Sequence, residues 1–224
     1  LLSRRNEQGK LAQDDLVLTT IVTTSLISDI AKSFGLTPRD DLLVGFKFIA
    51  EIIESLDDPS RFVFAAEESL GYLAGGFVRD KDAAIASLLV CEMASWLKDR
   101  GTTIVEYIDG LFREHGYYKN AQYLVELPGK GGRGVMEATM LHLRTNHPTV
   151  LAGITVTEVT DLLDPSLSAP GSYKMGGATD VIAAYLSDDR RTRVTVRPSG
   201  TEPKLKVYVQ HRTAVEDGLD TTKV

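Results

Sequence analysis

Short apolar runs alternate with segments of helical periodicity through the first half of the sequence, and this alternation restricts the possible folds more than any other feature. The runs LVLTTIV (16–22) and RFVFAAEES (61–69) are rich in β-branched and aromatic residues, as buried strands are. A further short strand is predicted at LLVG (42–45), and a loop at GYLAGGFVRDKD (71–82). Helical spacing of apolar residues marks TTSLISDIAKSFG, FKFIAEIIESL, Ala83–Arg100 and Ile104–His115. The alternation predicts an α/β domain with a mixed, largely parallel sheet.

The pattern changes after Gly116, because strand-like runs become more frequent and helices fewer. Strands are predicted at NAQYLVELP (120–128) and TVLAGITVTEV (149–159), and helices at GVMEATMLHLRTN (134–146) and ATDVIAAYLSD (178–188). A hairpin follows near the end of the chain. We therefore predict an α/β domain at residues 1–116 and a smaller α+β domain at residues 117–224.

Composition excludes several classes of protein. A net charge of −6 argues against a nucleic-acid surface or an anionic membrane surface, since both need a basic face. Neither a signal segment nor an apolar run of about 20 residues occurs, so a cytoplasmic protein is expected. The single cysteine, Cys91, lies within SLLVCEMASWL and is predicted to be buried in a helix. The opening LLSRRNEQGK resembles the tail of a helix without a cap, which suggests that the chain begins inside a larger protein.

The loop of the predicted hairpin, RPSGTEPK, carries more hydrogen-bond donors than a turn requires. Gly200 allows several backbone N–H groups to point into one concavity, an arrangement that binds anions. Ser199 and Thr201 add hydroxyl donors, and Arg197 can hold phosphate oxygens through two N–H groups. Lys206 lies just beyond. A solvated polar loop is the alternative, but the clustering of donor types favours a phosphate site.

Two other segments carry candidate chemistry. Glu67, Glu68 and Ser69 directly follow an apolar run, at the carboxyl end of a predicted strand, and this end of an α/β sheet faces the ligand crevice. Carboxylates there can accept hydrogen bonds from sugar hydroxyls, or they can simply pair with neighbouring charges. Lys81 lies in RDKD, between acids that can cap the next helix. A lysine so placed can serve as a general acid or base, although a plain charged helix start is the alternative.

The segment GKGGRG (129–134) is a literal match to the G-x-G-x-x-G pattern of dinucleotide-binding proteins. Pro128 abuts its first glycine, and Glu158 is only roughly placed for the acidic residue that such a site needs. Val135 stands where a Walker loop would continue with lysine. A nucleotide site is therefore a weak alternative.

The sequence resembles the α-D-phosphohexomutases, the phosphoglucomutase/phosphomannomutase family. The resemblance lies in three motifs that occur in this order: EES, RDKD and a terminal RPSGTEPK. VTTSLISDIAKSFG and LLVGFKFI are also similar to that family's third domain. The resemblance extends over roughly residues 16–209, with Val44 and Ala66 as departures from the family's usual threonine and glycine. It implies that residues 1–116 correspond to the third of four domains and residues 117–224 to the fourth.

The resemblance also implies roles for individual residues. Glu67 and Ser69 match sugar-hydroxyl contacts, and Lys81 matches the lysine proposed as the acid/base. Further substrate-binding residues would be Lys47 and Arg79. The loop that holds the phosphate not being transferred would contain Arg197, Ser199, Gly200, Thr201 and Lys206.

The family moves a phosphoryl group between C1 and C6 of a hexose, through a phosphoserine and a bisphosphorylated sugar such as glucose 1,6-bisphosphate, with Mg²⁺ as cofactor. This sequence contains neither a T-A-S-H-N-P serine loop nor a D-G-D-x-D-R metal loop, and its cysteine and histidines show no ligand spacing. The resemblance thus implies a C-terminal half that binds a hexose phosphate but lacks the nucleophile and the Mg²⁺ ligands. Its partners would be the missing N-terminal domains, and the fragment would be inactive alone. The alternative is a stand-alone, non-catalytic phosphosugar-binding module.

Overall fold

The computed structural model of the chain describes residues 1–164 and 179–215, which group into two compact units. The first unit holds Leu1–Tyr117 together with Ala214 and Val215, and the second holds Tyr118–Thr213. Each unit has its own sheet and its own apolar core.

A four-stranded sheet forms the centre of the first unit. Its strands are β1 (Leu16–Thr20), β2 (Arg39–Leu42), β3 (Phe62–Glu67) and β4 (Gly71–Leu73). They are arranged in the order β2-β1-β3-β4. Strand β1 runs parallel to both β2 and β3, whereas β4 is antiparallel to β3. The predicted mixed, largely parallel sheet is confirmed.

Helices accompany this sheet, and polar residues fix where the longest two begin. They are α1 (Leu2–Glu7), α2 (Leu26–Ser33), α3 (Phe46–Glu54), α4 (Ala83–Lys98) and α5 (Ile104–His115), with a 3₁₀ turn at Pro59–Arg61. The Asp82 carboxylate accepts hydrogen bonds from the first-turn N–H groups of α4, and Thr103 with Glu106 forms a capping box at α5. The core between sheet and helices includes Leu18, Ile49 and Ile53, all fully buried.

The second unit is a five-stranded sheet that packs one face against a helix. From Tyr117 onward the elements are β5 (Tyr117–Glu126), α6 (Gly132–Thr145), β6 (Val150–Leu151), β7 (Ile154–Thr155), β8 (Glu158–Asp161), β9 (Ile182–Tyr185), β10 (Arg193–Pro198) and β11 (Lys204–Thr213). The sheet has the order β5-β11-β10-β9-β8, and β6 and β7 form a separate hairpin. Met136 and Met140 of α6 pack on Ile182 and Leu205 of the sheet. This is the predicted smaller α+β architecture.

The prediction of a helix at ATDVIAAYLSD is wrong. Residue 178 lies outside the described residues, and the remainder contains strand β9. Strand β9 lies between β8 and β10, and its first three residues, Ile182 to Ala184, are buried. Pairing on both edges satisfies the backbone, and this tertiary context overrides the helix preference of the two alanines.

Three further differences from the prediction concern the position or the continuity of strands. The strand expected at 42–45 lies instead at Arg39–Leu42, where Leu18 and Thr20 of β1 are its parallel partners. Because β2 is at the edge of the sheet, it can contain charged residues. The loop predicted at 71–82 begins with strand β4, which pairs with β3. The run 149–159 is broken by a turn in which Ala152 and Gly153 have φ values of 50° and 79°, as a two-residue hairpin turn requires.

Cys91 was expected to be buried, and this prediction is wrong, since the side chain is exposed on α4. Leu97 is the buried residue of this helix, while Leu88 and Val90 are 55% and 51% exposed. A helix buries only the stripe that faces its neighbours, so an apolar sequence around Cys91 does not by itself imply burial.

Candidate functional site

The carboxyl ends of three neighbouring parallel strands meet at one edge of the first sheet, and Glu67 lies there as the last residue of β3. The chain leaving β2 passes the same edge and reaches Gly45 just before α3. The Gly45 N–H donates a hydrogen bond of 2.6 Å to Glu67 Oε1. Glu67 is only 4% exposed, and this burial raises the pKa of its carboxyl group, against the opposing effect of the Gly45 hydrogen bond.

Gly71 is the point at which three parts of the first unit converge. It is the cross-strand partner of Glu67, on the far side of a turn in which Leu70 has a φ of 61°. A Cβ atom added at Gly71 would lie 2.9 Å from the ring of Phe46, 3.2 Å from Cγ of Lys81 and 3.3 Å from Oε2 of Glu67. Glycine is therefore required for the lysine stem and the carboxylate to approach each other here.

Lys81 is held beside β4 by its neighbour in the chain, because the Asp82 N–H donates a hydrogen bond of 2.8 Å to the Tyr72 carbonyl. The Lys81 ammonium lies 3.1 Å from Asp80 Oδ1 and 5.1 Å from the centre of the Phe46 ring. Hydrogen bonds from the Lys81 backbone and ammonium hold the pKa of Asp80 below its usual range. The structure thus brings the predicted residues Glu67 and Lys81 together, around Gly71.

The other residues predicted for this unit have different surroundings. Ser69 is exposed in the turn that follows Glu67. The Arg79 guanidinium pairs with Glu54 of α3 and donates to the Gly76 carbonyl. The Lys47 side chain is exposed, with its ammonium 4.8 Å from the centre of the Phe48 ring. Arg79 is therefore engaged with α3 and with its own loop, and Lys47 with Phe48 of α3, rather than with Glu67.

This arrangement has a definite chemical capacity. One oxygen of Glu67 is engaged by Gly45, while the second faces Gly71 and can accept a hydrogen bond from a hydroxyl group. The Lys81 stem approaches the same glycine, and its ammonium can donate to a ligand through the N–H groups that Asp80 does not engage. A buried acceptor and an exposed donor that converge on Gly71 suit the recognition of a polyhydroxylated ligand.

In the second unit, Arg197 and Lys206 are cross-strand partners on β10 and β11. Directly opposed residues in an antiparallel pair have Cβ atoms about 4.5–5.5 Å apart on one face of the sheet. Leu205 and Val196 pack against α6, so Arg197 and Lys206, which alternate with them, lie on the opposite face. Two cations on one face, next to a loop rich in donors, form a site suited to phosphate.

The loop between these strands is fixed at its ends and open in its middle. The Ser199 N–H donates a hydrogen bond of 2.8 Å to the Lys204 carbonyl, which closes the loop. Outside the loop, the Leu127 N–H donates a hydrogen bond of 2.9 Å to the Pro203 carbonyl. Gly200 and Thr201, between these anchors, are exposed. The predicted phosphate-binding residues Arg197, Ser199, Gly200, Thr201 and Lys206 are all on this loop and its flanking strands.

Sequence reasoning missed four residues that shape these two sites: Gly45, Phe46, Gly71 and Leu127. The glycine before FKFIAEIIESL could have been recognised as a helix start, but its bond to a carboxylate from another strand leaves no local signal. The same holds for Leu127, whose partner is 76 positions later in the sequence.

Neither a metal centre nor a membrane-spanning helix is found among residues 1–164 and 179–215. No group of three or more His, Cys, Asp or Glu residues there is arranged to hold a metal ion. Within the same ranges, no helix is both long and apolar enough to cross a bilayer.

Comparison with known proteins gives matches over most of the chain. Residues 1–115 match the domain described as "Phosphoglucomutase/phosphomannomutase, alpha/beta/alpha domain III", and residues 155–217 match "Phosphoglucomutase/phosphomannomutase, C-terminal domain". A phosphoglucomutase of Staphylococcus aureus strain N315 is 32% identical over 212 residues, which are 93% of this chain. A phosphoglucomutase of Staphylococcus haemolyticus is 35% identical over 208 residues, or 91% of the chain.

Both relatives are much longer, since the matched regions make up 38% and 37% of their lengths. Among solved structures, the open form of pp63/parafusin from Paramecium, a phosphoglucomutase, superimposes with a TM-score of 0.64. That match covers 92% of this chain and 35% of the Paramecium chain at 17% sequence identity, so it is a likeness of fold.

Proposed function

Because the chain belongs to the phosphoglucomutase/phosphomannomutase family and matches its C-terminal half, we propose that it binds a hexose phosphate and provides substrate recognition in a phosphohexomutase. In the whole protein, a phosphoryl group would move between C1 and C6 of the hexose, through a phosphoserine and a bisphosphorylated sugar. The serine and the Mg²⁺ ligands would belong to domains outside this chain. The fragment alone would bind the sugar phosphate without interconverting its isomers.

The observation that carries the proposal is the pairing of Arg197 with Lys206 beside the closed loop that contains Ser199. The two cations balance much of the charge of a phosphate group, and the guanidinium can hold two phosphate oxygens at once. Backbone and hydroxyl donors of Gly200 and Thr201 would complete the coordination. We propose that this loop binds the phosphate group that is not being transferred, so that it orients the sugar.

In the first unit, Glu67 and Ser69 would bind sugar hydroxyl groups, and Lys81 would serve as the acid/base. Glu67 is suited to this task because burial strengthens a hydrogen bond between its free oxygen and a hydroxyl. Lys47 and Arg79 would contribute only if they leave their present contacts with Phe48 and Glu54. No residue of this chain is assigned to Mg²⁺.

An amide chemical-shift titration of the chain with glucose 1-phosphate, with NAD as the control ligand, tests the proposal. We expect saturable shifts centred on Arg197–Thr201 and weaker shifts near Glu67–Ser69. Absence of shifts with the sugar phosphate would count against a binding role for the chain. Saturable shifts at Gly129–Gly134 with NAD, lost in Gly131→Val, would instead favour a nucleotide-binding domain.

A further inference from the structure

The segment GKGGRG lies at the start of α6 and is not used by the proposed function. Its pattern glycines are Gly129, Gly131 and Gly134, whereas Gly132 stands at a variable position of G-x-G-x-x-G. Around a Cβ atom built at any of the three pattern glycines, the described part of the chain has no non-neighbouring atom within 4 Å. Gly132 is the buried one, and it is tightly enclosed.

The close neighbour of Gly132 is the backbone of Leu127. A Cβ atom at position 132 would collide with the Leu127 carbonyl oxygen and lie 2.8 Å from the carbonyl carbon. The chain therefore folds back between the end of β5 and the start of α6, so that the first residue of the helix packs directly on Leu127. Only a residue without a side chain permits this approach.

Leu127 is also the residue that anchors the phosphate loop. Its N–H group donates a hydrogen bond to the Pro203 carbonyl at 2.9 Å, while its carbonyl faces Gly132. Pro203 itself lies next to the helix start, with its Cβ 3.2 Å from the position that a Gly132 Cβ would take. Gly132, Leu127 and Pro203 thus form one contact, which we call the loop anchor.

We propose that Gly132 is a positioning residue for the phosphate loop and that the loop anchor holds Ser199, Gly200 and Thr201 in their binding geometry. The inference rests on the proposed function, because it takes this loop to be the phosphate site. A side chain at position 132 displaces Leu127, and with it the hydrogen bond that fixes Pro203. The loop donors then lose the preorganisation on which tight phosphate binding depends. This role accounts for the glycine of GKGGRG that the dinucleotide pattern does not require.

The test compares Gly132→Ala with Gly134→Ala in the full chain. Both replace a helical glycine of the same segment by alanine, but position 134 is open and position 132 is filled. Two readouts are recorded: the amide chemical shifts of Ser199, Gly200 and Thr201 without ligand, and the Kd for glucose 1-phosphate from the titration. Far-ultraviolet circular dichroism establishes that each variant is folded, so that a change in Kd reports the loop rather than unfolding.

For Gly132→Ala we expect the chemical shifts of the loop amides to change and the Kd for glucose 1-phosphate to rise about tenfold. This is the effect of losing one charge-assisted hydrogen bond between the loop and the phosphate. For Gly134→Ala we expect unmoved loop amides and a Kd within about twofold of the wild-type chain. Unmoved loop amides in a folded Gly132→Ala variant would overturn the inference. Failure of the wild-type chain to bind glucose 1-phosphate would instead count against the proposed function. The two failures are distinguishable, because the chemical shifts recorded without ligand test the loop anchor independently of binding.

Pro203→Gly changes the other partner in the same contact. It provides a second test of the loop anchor if Gly132→Ala fails to fold. Pro203 is exposed, so its replacement removes the Cβ that meets Gly132 and frees the backbone without opening the core. We expect the loop amides to move and the Kd for glucose 1-phosphate to rise about threefold or more. An unchanged loop in this variant would also contradict the proposal.

Discussion

The backbone N–H of Gly45 donates a 2.6 Å hydrogen bond to Oε1 of Glu67, so the carboxylate that ends β3 also fixes the start of α3. One side chain thereby has a structural contact through one oxygen and a free acceptor on the other. Burial and the Gly45 hydrogen bond act in opposite directions on the ionisation of Glu67, and the dependence of stability on pH shows which of them is larger.

We predict that the contribution of Glu67 to the free energy of unfolding falls as the pH rises above 4.5, the ordinary pKa of this group. Because burial raises its pKa, the folded state binds the proton more tightly than the unfolded state does, and ionisation at higher pH favours unfolding. Urea denaturation from pH 4 to pH 8 measures this. The stability of the wild-type chain relative to Glu67→Gln should decline over this range.

The matched control is Glu51→Gln, which makes the same change on an exposed carboxylate of α3. Its stability difference from the wild-type chain should follow no such decline. If the stability of the wild-type chain relative to Glu67→Gln instead rises with pH, the Gly45 hydrogen bond outweighs burial in setting the pKa of Glu67.

Gly71→Ala should destabilise the first unit by about 1–3 kcal/mol, the usual cost of an added methyl group in a filled site. The new methyl would lie 2.9 Å from the Phe46 ring, and Phe46 is buried. Gly76→Ala is the control, since among the described residues no non-neighbouring atom comes within 4 Å of a Cβ there. Equal unfolding free energies for the two variants, measured in urea, would contradict the close approach at Gly71.

Arg197→Ala should weaken the binding of glucose 1-phosphate by about 1.5–3 kcal/mol, as expected when a charge-assisted hydrogen bond is lost. Isothermal titration calorimetry gives the affinity directly. Lys119→Ala removes one exposed positive charge elsewhere in the second unit and should leave the affinity nearly unchanged. If both variants bind equally well, Arg197 is not part of the site.

Arg144→Met should destabilise the second unit by about 3–5 kcal/mol, because it removes the guanidinium that balances the charge of a buried carboxylate. Arg144 of α6 donates to both oxygens of Asp161, which is fully buried, and to Asp180 at 2.7 Å. Adding Asp161→Leu should recover part of the loss, since an apolar pair can replace a buried ion pair. Thermal unfolding of the single and double variants checks this, and a double variant less stable than Arg144→Met would refute it.

Local sequence patterns were sufficient wherever burial and capping act between neighbours in the chain. A long helix was predicted at Ala83–Arg100, because Asp80 or Asp82 can cap it and apolar residues recur at helical spacing. It is found at Ala83–Lys98, with Asp82 as its cap. Glu67 was predicted as a site residue because two acids directly follow an apolar strand, and the end of a parallel strand is a place where polar groups gather.

Contacts between distant segments account for what the sequence did not reveal. The segment around Ile182 reads as a helix by composition, and only its position between two strands makes it β9. In the sequence, Gly71 is indistinguishable from an ordinary loop glycine. Its close neighbours in the structure are Phe46, 25 positions before it, and Lys81, 10 positions after it. A single sequence carries no periodic signal for such approaches, because each depends on how separate elements pack.

The exposure of Cys91 makes the chain ready for site-specific labelling without any mutagenesis. As the one thiol in the sequence, on the outer surface of α4, it will take a single maleimide dye or spin label at a defined position. A probe there reports on the first unit, while the loop anchor and the Arg197–Lys206 pair belong to the second. Pulsed electron-spin measurements against one added label on the second unit would then give the distribution of distances between the two units in solution, with and without glucose 1-phosphate.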